Sequence, residues 1–245
     1  EVQFQPVMDI HSGEIAEAEA LMRWNHLQRG VVPPEEFVPL AERTGLIERL
    51  GRLAFEQAAA QTRQWLTEMP LDEDFFVSVN LSPAQLATET LLSDMRALVS
   101  ENRQVASHMK LEITEGQVMS NPEHSAYMLS ALKAMGLRLA LDDFGTGHSS
   151  LSYLHRFPVD TIKIPAPFVR MGDDTGMAHT QVPIIRSIIS LATELDLLVI
   201  AEGVETLEEI ERLQQLNCHF AQGFAFGASV SGAELGKKLA AQMGR

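Results

Sequence analysis

The 245-residue chain holds one cysteine, two tryptophans and two tyrosines, and its 19 Lys and Arg are well short of its 33 Asp and Glu. Each scarcity removes a class of protein. A lone Cys218 cannot close an internal disulfide, and it is expected to pack in the core rather than react. No apolar run approaches the roughly 20 residues that cross a bilayer as a helix. The formal net charge of −14 repels a polyanion unless local basic groups or metal ions offset it, which argues against long nucleic acid as a partner. No glycine-rich or charged linker divides the sequence, so one domain is expected over residues 1–245. The chain opens at Glu1, not Met, and is almost at once strand-like; the expectation is a domain excised from a longer protein and working in the cytoplasm.

What is present is ordinary globular composition, 45% hydrophobic and 21% charged. The length suits a single eight-stranded α/β barrel of roughly 250 residues. Val2–Val7 and Ile15–Trp24 read as strands joined by a turn at Ser12-Gly13. A helical region follows from Pro34, with Leu50, Ala54, Ala58 and Trp65 on one face. Further strands are expected at Phe75–Val79, Met109–Ile113, Leu137–Leu141, Thr161–Ile164, Leu197–Ala201 and Phe220–Gln222. Between them, Asn121-Pro122 opens a helix that Gly136 ends, Ile184, Ile185, Ile188 and Ala192 mark another, and Thr206 with Glu209 forms a capping box. Strands alternating with helices imply a parallel sheet.

Polar residues recur where these strands end. The run LALDDFGTGHSS delivers Asp142 and Asp143 side by side into a glycine-bearing turn. Taken alone, that pair fits either a cation site or the cap of the next helix. The other strands decide between them: the strand around Ala18 carries Glu19, Thr161–Ile164 carries Lys163, and Asn80, Glu112, Glu202 and Gln222 lie near or just beyond the ends of theirs, with Glu115 close behind Glu112. In a parallel barrel those ends open on one face, so the side chains converge. Oxygen donors without paired His or Cys favour Mg²⁺ or Mn²⁺ over zinc, and the number of carboxylates exceeds what one Mg²⁺ needs. Two ions are expected, an arrangement that recurs in phosphodiester hydrolysis, with Asp142 bridging them and Lys163 countering charge on a phosphate.

EAEALMRW with FQPV upstream, VNLSPAQL, LEITE, DDFGTGHSSLSYL, the Ile162-Lys163 pair, AEGVE and AQGF occur in that order along the chain. The sequence thereby resembles the EAL-domain phosphodiesterases over essentially its whole length. The resemblance implies a modified TIM barrel with an antiparallel first strand, and hydrolysis of cyclic di-GMP to linear pGpG with Mg²⁺ or Mn²⁺, calcium inhibiting. It implies Glu19, Asn80, Glu112 and Asp142 as ligands of one ion, and Asp142, Asp143, Glu202 and Gln222 around a second. Lys163 would contact the catalytic water, Glu115 would hold the loop that presents Asp143, and Arg23 would meet a substrate phosphate. Gln5, Leu21 and the run Pro34–Glu42, with Pro39 and Glu42, would shape a guanine pocket. A homodimer through the helix after the DDFGTG loop is also implied.

The chain departs from that family in places. Pro165-Ala166-Pro167-Phe168 stands where the family usually reads IDRSF, so a carboxylate near the second ion is missing. His148 replaces a usual Tyr and is expected at the surface, and the usual Pro is absent from Phe226–Ser229. Glu205 is expected to act as a helix first-turn charge, and Trp24 and Trp65 to lie in the core. Loss of the carboxylate at Pro165 leaves a second reading, a weak or inactive domain that serves as a cyclic di-GMP receptor.

Overall fold

The computed structural model describes residues 1–101, 103–147, 154–170 and 178–244. His148 lies outside the described residues. Strand β1 (Val2–Asp9) turns back at Gly13, whose φ is 73°, with the Asp9 carboxylate accepting from the backbone of His11 and Ser12, and β2 (Ile15–Met22) follows antiparallel. The second strand stops two residues short of the expected Trp24, because Trp24–His26 (β3) leaves the barrel to pair with Gly30–Val32 (β4) as a separate hairpin.

The helical region from Pro34 is two helices, not one. Helix α1 (Pro34–Thr44) ends at Gly45, whose left-handed φ of 71° reverses the chain, and α2 (Ile47–Glu68) starts afresh. The remainder alternates: β5 (Phe76–Asn80), α3 (Pro83–Leu86), α4 (Thr90–Glu101), α5 (Arg103–Ala106), β6 (Met109–Thr114), α6 (Glu115–Ser120), α7 (Pro122–Lys133) and β7 (Arg138–Asp142). Then come β8 (Thr161–Ile164), α8 (Ala166–Val169), α9 (Ala178–Glu194), β9 (Leu198–Ala201), α10 (Leu207–Gln215), β10 (Phe220–Ala221) and α11 (Gly232–Met243). Thr206 and Glu209 form the expected capping box, and Ser231 with Glu234 forms another that starts α11. Ile184, expected on the apolar stripe of α9, is 40% exposed, while Ile185, Ile188 and Ala192 are buried.

Eight strands close a barrel in the order β1, β2, β5, β6, β7, β8, β9, β10. The first strand is antiparallel to both its neighbours, β2 and β10, and the other neighbours are parallel. The fold is therefore an α/β barrel of TIM type with one reversed strand. Strand alternation sorts the side chains. Leu111, Ile113, Ile162 and Ile164 are buried in the hydrophobic core, while Lys110, Glu112 and Lys163 alternate with them on the opposite face. Lys110 on β6 meets Glu17 on β2 at 2.5 Å, and Lys163 on β8 meets Glu112 on β6. Neither pair joins neighbouring strands, so these contacts cross the barrel interior.

Trp65 is buried on α2, edge-on to Phe4 and Phe75, and its indole donates to the Gly232 carbonyl at 3.2 Å. Trp24 does not share that core: it is 39% exposed and packs edge-on against Phe37 and His26, because the short hairpin stands outside the barrel wall. Cys218 is buried, and burial pushes its thiol up to about 12, as an unreactive core residue requires. No helix among the described residues is long and apolar enough to cross a membrane.

Candidate active site at the barrel mouth

The inward-facing residues at the strand ends meet as a connected polar cluster. Glu19 on β2 is its hub: Asn80, from the end of β5, donates to Oε1 at 2.7 Å, and Gln222, just past β10, donates to Oε2 at 2.8 Å. Lys163 on β8 lies 2.7 Å from Glu112, 2.6 Å from Glu202 and 3.4 Å from Glu19. Glu202 sits immediately after β9, where its amide donates to the Ile164 carbonyl at 2.9 Å. Gln5 on β1 accepts from Gln222 at 3.2 Å and donates to the Gly227 carbonyl at the same distance.

Asp142 ends β7 and its carboxylate accepts from the amide of Asp143, which follows with a left-handed φ of 55°, at 2.8 Å. Glu115, buried at the start of α6, accepts from the Gly145 amide at 2.7 Å, and a Cβ on Gly147 would lie 3.0 Å from its Oε1. The loop after Asp143 is thus tied to β6's end through Glu115.

Charge in the cluster is unevenly distributed. Burial works against an ionised Glu19, but Lys163 and the hydrogen bonds from Gln222 and Asn80 outweigh it and hold the carboxyl below its usual range. Glu112 goes the other way: burial, reinforced by the Glu19 charge, pushes it well above that range despite Lys163. Burial brings Glu202 up to about 7, with Lys163 opposing and Asp142 and Glu19 adding. Burial also disfavours the Lys163 ammonium, yet Glu112, Glu19, Glu202 and Asp142 around it raise its pKa well above normal. Asp143, at the rim, is raised by partial burial and by Asp142 beside it.

Beside this cluster opens a cavity of about 420 Å³, lined by Leu21, Arg23, Pro39, Glu42 and Asn80 together with Phe37 and Val38 of α1. Of the seven residues expected to contact substrate, Leu21, Arg23, Pro39 and Glu42 line it, whereas Gln5, Asp143 and Gln222 do not, Gln5 lying on the cluster side next to Gln222. The Arg23 guanidinium is aimed by the Met22 carbonyl at 3.1 Å and the Ser229 hydroxyl at 2.9 Å. Ser229 lies 206 residues from Arg23, so no local spacing in the sequence announces this pairing. Glu205 is no first-turn charge: it precedes the cap residue Thr206 and pairs with Arg170 at 2.6 Å.

The EAL domain family model matches residues 1–229. The chain belongs to the EAL domain family. It is 37% identical over 236 residues to the bifunctional diguanylate cyclase/cyclic di-GMP phosphodiesterase MucR of Pseudomonas aeruginosa, covering 96% of this chain and 33% of that protein. It is 33% identical over 241 residues to the cyclic di-GMP phosphodiesterase NbdA of the same organism, covering 98% and 30%. This EAL domain therefore spans about a third of the length of these relatives. Among solved structures it resembles the PaMucR phosphodiesterase in complex with c-di-GMP, with a TM-score of 0.88, 37% identity, and 96% and 93% of the two chains covered. The EAL enzyme Bd1971 in its cAMP-bound form matches with a TM-score of 0.89 at 30% identity, covering 98% and 66%. The EAL domain of Mycobacterium smegmatis DcpA matches with 0.79 at 31%, covering 98% and 95%.

The donor set of this EAL domain fits hard divalent cations. Glu19, Glu112, Asp142, Asp143 and Glu202 outnumber the single ammonium of Lys163, and the buried Oε1 of Gln222 has no hydrogen-bond partner among the described residues. No group of three or more His, Cys, Asp or Glu side chains among the described residues already stands in a cation-gripping arrangement. Lys163 instead bridges Glu19, Glu112 and Glu202, and its contact with Glu19 is the longest of the three.

Proposed function

We propose that this domain is a metal-dependent phosphodiesterase that hydrolyses cyclic di-GMP to linear 5′-pGpG. The observation that carries the reading is the convergence of Glu19, Glu112 and Glu202 on Lys163 at the barrel mouth, next to a cavity of about 420 Å³ lined by Arg23. Kinship with MucR and NbdA supports the substrate class.

Glu19, Asn80, Glu112 and Asp142 would hold one Mg²⁺ or Mn²⁺, and Asp142, Asp143, Glu202 and Gln222 a second. Such cations supply Lewis acidity and a water acidified toward hydroxide. The chain's own residues do the rest. Leu21 and Pro39 offer apolar walls to a guanine base, and Glu42 accepts from its N–H edge. Arg23 meets a phosphate oxygen with a guanidinium already aimed by Met22 and Ser229. Lys163 carries fixed positive charge in a buried position, where it orients the attacking water and offsets charge growing on the phosphate. Glu115 keeps the Asp143 loop in register.

The test is incubation of the pure domain with cyclic di-GMP and Mg²⁺ or Mn²⁺, with pGpG followed by chromatography. Chelator should stop its release, and calcium should suppress it. Binding without pGpG would favour the receptor reading, which one observation supports: Pro165 caps α8 without any side-chain hydrogen bond, at the position where the sequence resemblance implies a carboxylate. The reading places the domain in the cytoplasm, where such a nucleotide is met, and expects pairing of two copies through the helix after the Asp142 loop.

A further inference from the structure

The loop that delivers Glu202 is bonded through Val204 to the Gln222 carbonyl and the Ala225 amide, and it is gripped from outside the cluster by an arginine. Gly203, next after Glu202, has a φ of 67°, and a Cβ added to it would lie 2.4 Å from the Ala166 Cβ. The loop backbone is therefore pressed against the first residue of α8. The Gly203 carbonyl accepts from Arg170 Nε at 3.3 Å, and the same guanidinium reaches Glu205 at 2.6 Å. Arg170 thus holds the loop at two points just beyond Glu202. It follows α8, the helix that begins three residues after Lys163. From the other direction Arg212 of α10 donates to the Val169 carbonyl at 2.8 Å. The segments that follow Lys163 and Glu202 are joined twice behind the point where those two side chains meet.

We propose that Arg170 is a positioning residue of the hydrolytic site, holding Glu202 against Lys163 by gripping Gly203 and Glu205; this rests on the phosphodiesterase reading above. Pro165 and Ala166 have no side-chain donor, so neither can hold the loop by a hydrogen bond, and the guanidinium takes that task from farther along the chain. Arg170 and Glu205 have side chains 49% and 43% exposed, and an exposed ion pair contributes about 0–1 kcal/mol. Global stability is therefore a poor account of the arrangement. Geometry is a better one: a planar guanidinium that meets a carbonyl and a carboxylate together fixes direction as well as distance. A displacement of about 1 Å in a hydrolytic site costs up to roughly a hundredfold in rate.

The test compares wild type, Arg170→Met, Arg170→Lys and Glu205→Gln for kcat and KM on cyclic di-GMP, for melting temperature, and for amide exchange of residues 202–206 without nucleotide. Arg170→Met should lower kcat about tenfold and speed loop exchange by a similar factor, leaving KM within about twofold and the melting temperature nearly unchanged. Arg170→Lys keeps the charge facing Glu205 and should recover part of the loss, and Glu205→Gln should fall between wild type and Arg170→Met. An unchanged kcat in Arg170→Met, or a loss explained by a matching fall in melting temperature, overturns the proposal. If wild type itself releases no pGpG, the phosphodiesterase reading fails on its own, and loop exchange then decides the grip: equal exchange in wild type and Arg170→Met overturns it.

Discussion

The Lys163 ammonium and the Glu202 carboxylate face each other at 2.6 Å from adjacent strands, one almost wholly buried and the other 23% exposed. Two opposite charges are held in place before any ligand arrives, and the excess of carboxylates around them gives the site a pH-dependent cost.

That cost has a definite sign. Burial raises Glu202 in the folded chain to about 7 from 4.5, so the fold binds its proton more tightly than the unfolded chain does. Its contribution to stability is whole below about 4.5, shrinks as pH rises, and is lost above about 7. Glu202→Gln keeps the shape and never ionises. In chelator, the variant should melt level with wild type near about pH 5 and above it near about pH 8. A temperature difference that stays flat across this range would contradict the assignment.

Glu19→Ala should abolish turnover, by at least about a hundredfold, because it removes the hub that Asn80, Gln222 and Lys163 share. Far-ultraviolet circular dichroism should stay that of the wild-type barrel. Undiminished pGpG release from this variant would show that the acidic cluster is not the reactive centre.

Glu115 acts on the loop and not on the ligand. Glu115→Gln leaves a carbonyl oxygen to accept from Gly145 and should keep most activity, whereas Glu115→Ala should lose about tenfold in kcat/KM. Equal rates for the two variants would mean that the loop holds itself.

Asp160 supports the opposite end of the barrel, accepting from Lys133, from Arg138 at 2.9 Å and from the Leu139 amide at 2.8 Å. Burial works against its charge, but these donors, Lys133 first, hold the carboxyl below its usual range. Asp160→Asn should destabilise by about 1–3 kcal/mol in urea unfolding while leaving pGpG release by the folded fraction unchanged. A loss of turnover without a loss of stability would link this end to the chemistry.

The barrel strands were legible because each is a short apolar run closed by a polar residue, and β5, β6, β7, β8 and β9 fall within a residue of where those runs predict. Gly45 divides α1 from α2 by a left-handed turn inside what reads as one apolar periodicity. The three-residue strands β3 and β4 are too short for any alternation to show. Ser231 and Glu234 carry the same spacing as Thr206 and Glu209, so the start of α11 was open to the same reading. The site's residue types were legible for the reason its strands were. Its pairings were not, because Gln222 meets Glu19 across 203 residues and that contact depends on how the barrel closes.

The reversed first strand has a consequence for assembly. Since β1 fills the gap between β2 and β10, Gln5 reaches Gln222 only after the first and last barrel strands have met, across a separation of 217 residues. Contacts so distant in sequence form late and slowly, since a long loop must be closed before it is rewarded. A growing chain that has already paired Glu112 with Lys163 still lacks the Gln222 side of Glu19 until β10 arrives. Competence at the mouth of the barrel is therefore a property of the finished ring, and it should appear in refolding as the last step to complete.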